Sequence, residues 1–97
     1  MGSPTTETRS WTFLTHHARV LILLARDPGQ RVQDLADAIG ISIRALHLIL
    51  DDLEGGGYLT RHKVGRRNTY TVVADRPFRH PIDADHDVAD LLALFSH

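Results

Sequence analysis

Cysteine is absent from this 97-residue chain, so neither a disulfide nor a thiolate-bound metal can form. No apolar run is long enough to span a bilayer, and residues 1–10 lack the apolar segment of a signal peptide. The apolar and charged fractions, 42% and 24%, are ordinary for a globular protein. We therefore expect one soluble cytoplasmic domain without a membrane partner.

Signals of catalysis are also missing. There is no cysteine nucleophile, and the glycine run at residues 55–57 follows a helical stretch instead of preceding one. A phosphate-binding loop needs its glycines before a helix, where backbone N–H groups are free to bind the phosphate. The Ser, His and Asp residues have no spacing that indicates a catalytic triad. The sequence predicts a protein that is not an enzyme and needs no cofactor.

Charge is segregated along the chain. The formal net charge is −1, whereas nucleic-acid-binding domains are usually basic. Residues 61–67 contain four basic residues and no acid, and residues 83–90 contain four acids and no Lys or Arg. Because a polyanion responds to the local field, the basic segment is a candidate contact surface. A solvated run of charge has the same composition and stays open as the alternative.

Two helices separated by a tight turn are predicted at the centre of the chain. Apolar residues at 32, 35, 36 and 39 have the spacing of one buried helical face. Gly40 ends this helix, and Ser42 is a favourable N-cap for a second helix over residues 42–54. The apolar stripe of the second helix consists of Ala45, Leu46, Ile49, Leu50 and Leu53. The glycines at 55–57 end it, because glycine adopts a left-handed C-cap without strain.

A basic hairpin follows the second helix. Residues 58–63 and 68–73 alternate as strands do, and residues 64–67 form the tip between them. Edge strands often carry Lys and Arg because these residues oppose aggregation, which is the alternative to a functional basic surface.

The flanking segments complete the predicted organisation. We expect residues 1–10 to be a flexible tail, residues 11–14 a short extended strand, and residues 16–26 a helix capped by Thr15. A last helix is predicted from about Asp83 to Phe95, with one apolar stripe and acids in its first turn. The expected fold is mainly α with a small β-hairpin, an α+β domain in the order β-α-α-α-β-β-α. Residues 11–79 would form the main domain, and residues 80–97 would pack on it or on a dimer partner.

This order of elements resembles the winged helix-turn-helix of bacterial transcriptional regulators of the MarR/ArsR type. Three stretches carry the resemblance: L-A-x-x-I-G-I-S at residues 35–42, D-L-E-x-x-G-Y-L at 52–59 and V-G-R-R-N-x-Y at 64–70. The resemblance covers residues 13–95. It implies a three-helix core with a wing and a C-terminal helix. It also implies a homodimeric repressor or activator whose partner is double-stranded DNA.

The resemblance also implies which residues face DNA. The second helix, residues 42–54, would lie in the major groove, and the wing, residues 61–70, on the backbone or in the minor groove. Four cations used twice, Arg44, Lys63, Arg66 and Arg67, would neutralise roughly eight phosphates and give a salt slope near −7 as an upper bound. The expected DNA-binding residues are Ser42, Ile43, Arg44, His47, Leu48, Arg61, Lys63, Arg66, Arg67 and Asn68.

Three residues of the second helix depart from a typical DNA-reading surface. Ile43 and Leu48 point outward, and Asp51 has the wrong sign for phosphate unless an arginine pairs with it. The two apolar residues can touch thymine methyl groups, or they can form a contact surface for a protein. For the polar positions the alternatives are a plain helix cap at 42, a solvated charge at 44 and an exposed histidine at 47. A protein-interaction module without sequence-specific DNA binding is therefore the second hypothesis.

A dimer interface is expected on the first and last helices. The first helix is apolar on two faces, and in so small a domain we attribute the second face to a partner subunit. The resemblance implies that the last helix pairs with the first across a twofold axis. The expected interface residues are Val20, Leu23, Leu24, Val88, Leu91, Leu92 and Phe95.

Seven histidines raise a third hypothesis, an acid or metal sensor. His86 and His97 have the separation of two ligands in the C-terminal-helix zinc site of ArsR-type sensors. However, position 84 is alanine where that site has an aspartate, and no further ligand follows His97. Because zinc requires about four ligands in fixed geometry, we expect no metal site.

Overall fold

A computed structural model describes residues 11–96, which form four helices and one antiparallel hairpin. In chain order the elements are α1 (His16–Arg26), α2 (Val32–Ile39), α3 (Ile43–Gly55), β1 (Leu59–Val64), β2 (Arg67–Val72) and α4 (Val88–Leu94). The predicted α+β winged-helix fold is confirmed: α1, α2 and α3 form the three-helix core, and β1 and β2 form the wing. The tail predicted at residues 1–10 lies outside the described range, as does His97.

Local chemistry sets the ends of the core helices. The Thr15 hydroxyl accepts a hydrogen bond from the Ala18 N–H at 3.2 Å, and the Ser42 hydroxyl accepts one from the Ala45 N–H at 3.0 Å. Each bond satisfies an N–H that has no partner inside its helix. Gly40 follows α2 with a φ of 85°, a left-handed conformation that a side chain would oppose. These three predicted caps are confirmed, and the last two define the tight turn between α2 and α3.

The connection from α3 to β1 turns sharply and is anchored by one aromatic ring. Gly57 has a φ of 86°, and the Tyr58 N–H donates to the Leu53 carbonyl at 2.8 Å. The Tyr58 ring is buried, and its hydroxyl donates to the Pro77 carbonyl at 2.5 Å. The Arg76 guanidinium lies over the ring, 5.7 Å from its centroid, where a cation–π attraction adds to the packing. Tyr58 thus anchors the start of β1, and β1 packs on α3.

The wing is joined to the core at its base and exposed at its tip. Leu59 and Tyr70 are 3% and 4% exposed, and the Tyr70 N–H donates to the Pro28 carbonyl in the α1–α2 loop at 3.2 Å. Gly65, with a φ of 64°, and Arg66 form the turn between the strands. The strand ends lie one residue from those predicted.

The core lies between the three helices, the base of the wing and α4. Full burial of a large apolar side chain stabilises the fold by about 1.5–3 kcal/mol before entropy is counted. No charged or polar side chain is buried among residues 11–96, so α3 is held by apolar packing of its inner face. The large side chains with less than 2% exposure are Val20, Leu24, Leu35, Leu46, Leu50 and Val88.

The strand predicted at residues 11–14 is wrong, because this segment is irregular. The Thr12 hydroxyl donates to the Leu14 carbonyl at 2.7 Å, a local bond that competes with strand pairing. The rings of Trp11 and Phe13 meet edge to face with centroids 5.1 Å apart, and both remain exposed. Their alternation in the sequence therefore reflects an exposed aromatic pair.

The last helix begins at Val88 and not near Asp83 as predicted. The preceding residues form turns, in which the Asp83 N–H donates to the His80 carbonyl at 2.9 Å. Asp87 and Asp90 form a reciprocal capping box at the start of α4, and this box fixes the helix start five residues later than predicted. Asp83 thus lies in a loop, outside the reach of the α4 dipole.

Several of the expected dimer residues are buried within the chain itself, in which α4 packs on α1. Val20 and Leu24 are 0% exposed and Val88 is 1% exposed, so these three side chains have no surface for a partner. Leu91 is also buried, at 8% exposure. Leu23, Leu92 and Phe95 are half-buried. Most of the second apolar face of α1 is thus covered within the chain.

No helix within residues 11–96 is both long enough and apolar enough to cross a lipid bilayer.

Candidate nucleic-acid interface

The outer face of α3 is exposed at each position expected from the sequence. Leu46, Ile49, Leu50 and Leu53 turn inward to the core, so the opposite side of the helix faces solvent. Ile43 is 39% exposed and Leu48 is 62% exposed. The exposed outer positions in the first two turns are Ser42, Ile43, Arg44, His47 and Leu48.

Arg44 and His47 lie three residues apart on this face, so their side chains are neighbours on the helix surface. Within the described part of the chain, neither side chain makes an ion pair. Their donors can therefore reach an acceptor outside the protein. The Ser42 side chain is already occupied, because its hydroxyl oxygen accepts the Ala45 N–H. The hydroxyl hydrogen of Ser42 remains able to donate to a phosphate.

The tip of the wing presents a second set of donors. Lys63 lies opposite Asn68 in the register of the two strands, and Arg66 follows in the turn. All three side chains are exposed, and neither cation has an acidic partner within residues 11–96. Val64, 64% exposed, places an apolar side chain between them. The tip therefore has the donors that a phosphate backbone requires.

Arg61 differs from the other wing cations because two acids of α3 hold it. Its guanidinium forms an ion pair with Glu54, and the same nitrogen lies 3.8 Å from the Asp51 carboxylate. The hydrogen bond that Arg61 donates to Glu54 is the main cause that raises the pKa of Arg61 above its ordinary value, and the charge of that carboxylate is the second. Asp51, which has the wrong sign for DNA, is thereby partly neutralised. Arg61 is therefore engaged by α3 of its own chain, although its side chain stays 40% exposed.

Arg67 is also engaged within the chain. Its guanidinium donates to the Gly29 carbonyl in the α1–α2 loop, next to the Pro28 carbonyl that accepts the Tyr70 N–H. These bonds fasten β2 to the α1–α2 loop, so Arg67 positions the wing. Of the four cations between 61 and 67, Lys63 and Arg66 remain available for an outside partner.

Arg31 is a candidate that the sequence patterns did not single out. It occupies the N-cap of α2, where Ser, Thr, Asp or Asn is usual, and it makes no side-chain capping bond. Its side chain is exposed and has no ion pair in the described range. The first helix of a helix-turn-helix crosses the DNA backbone, so an arginine at its start is a candidate phosphate donor. The unusual residue at the N-cap position is the sequence signal that could have identified Arg31.

The described histidines form no metal site. Within residues 11–96 there is no group of three or more His, Asp or Glu side chains that could hold an ion. His86 pairs with Asp90 at 3.0 Å, and His17 pairs with Asp52 at 2.8 Å, which links α1 to α3. Hydrogen bonding to Asp90, followed by the charge of Asp85, raises the pKa of His86. His97, the second residue of the hypothetical zinc pair, lies outside the described residues.

Residues 15–60 match the sequence profile of a family described as winged helix-turn-helix DNA-binding. The match begins at the N-cap of α1 and ends two residues into β1, so it spans the three-helix core and the entry to the wing. No curated protein matches the chain. The domain thus combines a winged-helix fold with the sequence pattern of DNA-binding winged helices over its core.

Proposed function

We propose that this chain is a transcriptional regulator that binds double-stranded DNA as a homodimer, with α3 in the major groove and the wing on the flanking backbone or minor groove. The observation that carries the proposal is the distribution of available donors. Arg44 and His47 on the outer face of α3, and Lys63 and Arg66 at the wing tip, are exposed without acidic partners in the described chain. One helix face and one projecting hairpin can then contact the same duplex.

Each residue of the α3 face has a role in this proposal. Arg44 donates to a guanine edge or a phosphate, and His47 donates to a base or a phosphate. Ile43 and Leu48 contact thymine methyl groups, the apolar feature of the major groove. Ser42 combines its helix cap with a phosphate contact. Recognition of the base pairs then combines polar and apolar contacts, and Arg44 is the main determinant of sequence preference.

The wing supplies affinity that does not depend on sequence. Because Arg61 and Arg67 are engaged within the chain, α3 and the wing of each copy together offer three cations without an acidic partner in the described range: Arg44, Lys63 and Arg66. A dimer would neutralise about six phosphates, and log K should fall with log salt with a slope of about −5. The four-cation estimate from the sequence, near −7, was steeper because it counted Arg67. Asn68 can add a neutral hydrogen bond to the backbone.

The proposal extends to a MarR- or ArsR-type regulator acting without a cofactor in the bacterial cytoplasm. It assigns the chain a binding role and no catalysis. The three-helix core, the wing and the short α4 support a regulator of this general type.

The test is fluorescence anisotropy with labelled duplexes from the upstream region of the gene and with a random-sequence duplex of equal length. Arg66→Ala should weaken binding to both duplexes alike and make the salt slope shallower by about 1.8, since the dimer loses two phosphate contacts. Arg44→Ala should cost more on the upstream duplex than on the random one. Arg19→Gln, which removes an arginine of α1, serves as the control for lost charge. If the affinity of the wild-type protein for DNA does not change with salt concentration, DNA binding of the proposed kind is excluded.

A protein-interaction module remains the second candidate, because three large apolar side chains are exposed on the α3 and wing surface. Leu48 and Val64 are 62% and 64% exposed, and Ile43 is 39% exposed. In that case Arg66→Ala would leave binding to the protein partner unchanged, whereas Leu48→Ser would abolish that binding. The DNA proposal predicts the larger loss for the arginine variant.

A further inference from the structure

Away from α3 and the wing tip, one surface concentrates exposed apolar side chains around a groove. The groove has a volume of about 780 Å³ and runs between the segment before α1, the loop before α4 and α4 itself. Because sites for drug-sized molecules have volumes of about 300–1,000 Å³, the groove has the size of a small-molecule site. We call it the apolar groove and define it by Phe13, Leu14, Phe78, Ile82, Leu91 and Leu94.

Several apolar side chains of the groove lie almost entirely in water. Phe13 is 91% exposed, Ile82 is 81% exposed and Leu94 is 77% exposed. Trp11, whose ring meets that of Phe13 edge to face, is 74% exposed. Exposed apolar surface that is rimmed by polar side chains is typical of ligand-binding grooves and interaction sites. A ligand that covers these side chains gains free energy because it removes them from water.

The groove takes its cover from outside this chain. Residues 2–10 contain no aromatic and no branched aliphatic residue, so they have no side chains that match an apolar groove. The chemistry of the occupant then follows from the charged and aromatic residues of the groove itself.

The charge at the groove is acidic. Asp83 and Asp90 line it, and no Lys or Arg of residues 11–96 does, since Arg79 lines the adjoining cavity of about 360 Å³ instead. Asp90 is already engaged, because it pairs with His86 at 3.0 Å and accepts the Asp87 N–H at 3.2 Å. Asp83 is exposed and makes no ion pair within the described residues. One carboxylate is thus available to a positively charged ligand.

The aromatic rings at the groove favour the same sign of charge. Phe13 and Phe78 line the groove, and Trp11 packs on Phe13. The face of an aromatic ring carries partial negative charge and attracts cations. An organic cation can therefore place its charge near Asp83 while its apolar body lies on these rings.

We propose that the apolar groove binds an organic cation with an apolar body, such as a protonated lipophilic amine. Asp83 pairs with the positive charge, and Phe13 and Leu94 contact the body. A neutral apolar molecule would leave Asp83 without a partner, and an anion would be repelled by the carboxylates. No residue that lines the groove belongs to α3 or the wing. The site therefore does not rest on the proposed function, and its test needs no DNA.

The test compares two ions of similar size and shape but opposite charge, tetraphenylphosphonium and tetraphenylborate. Binding of each ion to the full chain is measured by calorimetry and by the emission of Trp11, the sole tryptophan. The phosphonium should bind more tightly than the borate and should shift the Trp11 emission to shorter wavelength, because it covers the ring. Asp83→Asn should weaken phosphonium binding by up to about fivefold, the range of an exposed ion pair, and should not weaken borate binding.

Matched variants separate the groove from the rest of the surface. Phe13→Ser should weaken the binding of both ions, whereas Leu48→Ser, which removes an exposed apolar side chain of α3, should change neither. Asp75→Asn removes one negative charge from an exposed residue outside the groove and should leave the preference for the phosphonium unchanged. The circular dichroism spectrum should stay the same in each variant, because every substituted side chain is exposed.

Three outcomes overturn the proposal. Equal affinity for the two ions would show that the groove binds through apolar contact alone. A preference for the phosphonium that Asp83→Asn and Asp75→Asn reduce equally would assign it to the net charge of the protein. Absence of phosphonium binding overturns the site outright. If the Trp11 emission of the protein alone then shifts to longer wavelength on dilution, a second copy of the chain covers the groove in place of a cation.

Discussion

Replacing Glu54 with Gln should strengthen DNA binding and make it more sensitive to salt. In the folded chain Glu54 holds the Arg61 guanidinium, and Asp51 lies 3.8 Å from it as a second acid. The substitution keeps the size of the side chain and removes its charge, so Arg61 loses its main partner. Arg61 is on β1, two residues from Lys63. It is then able to turn toward the phosphates that we propose as partners of Lys63.

The magnitude follows from counting contacts. One added phosphate contact per copy is two per dimer, and the salt slope should become steeper by about 1.8, from about −5 to about −7. If the affinities at 1 M salt are equal, binding at 0.1 M salt should improve by up to about 60-fold. The double variant Asp51→Asn with Glu54→Gln should reach this limit more closely, because it removes both acids. Lost stability should be small, at most about 1 kcal/mol, since the pair is partly exposed, at 40% and 38%.

The assay is anisotropy with one duplex over a series of salt concentrations. Asp75→Asn removes the same charge from an exposed residue outside the pair and controls for net charge. A slope for Glu54→Gln that matches both the wild type and Asp75→Asn would show that released Arg61 does not reach DNA. A gain in affinity shared equally by Asp75→Asn would assign the effect to net charge instead.

Three further predictions concern the scaffold. Ser42→Ala should lower the free energy of unfolding by about 1 kcal/mol in urea denaturation, and Ser42→Asp should retain it, because either oxygen can cap α3. Gly57→Ala should destabilise by about 1–2 kcal/mol, because its φ is 86°, whereas Gly55→Ala, where a Cβ meets open space, should be neutral or stabilising; the opposite order would contradict the left-handed turn. The pKa of His86 is raised by Asp90, so the charged pair stabilises the fold fully below about pH 6.5 and loses this contribution as pH rises through the higher folded pKa. Wild type and His86→Gln should therefore differ in denaturation midpoint at pH 5.5 and converge at pH 8.5, and a constant difference would refute the pairing.

The elements that sequence predicted well are those decided by neighbouring residues. The periodicity of apolar residues and the caps at Thr15, Gly40 and Ser42 act within one helical turn, so α1, α2 and α3 appear where expected. The outward positions of α3 follow from the same periodicity, because the core face defines its opposite. The strand predicted at residues 11–14 was wrong because strand formation does not depend on neighbouring residues alone. A strand requires a partner, and the alternation of Trp11 and Phe13 carries no information about one.

The sequence predicted which elements form the candidate site, but it did not predict which of the cations there are engaged within the chain. The sequence contains four cations between 61 and 67 and gives no basis for telling which of them are paired within the chain. The structure commits Arg61 to Glu54 and Arg67 to the Gly29 carbonyl, contacts between residues 7 and 38 positions apart. No local rule anticipates them, because they depend on the return of β1 along α3 and on the position of the α1–α2 loop.

By itself the sequence determined where helices start and stop, which face of α3 is apolar, and that a basic hairpin follows it, since caps, glycine conformations and side-chain periods act over a few residues. Only the tertiary structure decided which cations remain unpaired and which apolar residues remain exposed. Packing α4 on α1 buried Val20 and Val88 within one chain and left Phe13, Ile82 and Leu94 in water. The physical reason is that burial and ion pairing depend on distances in space, which a linear pattern does not contain.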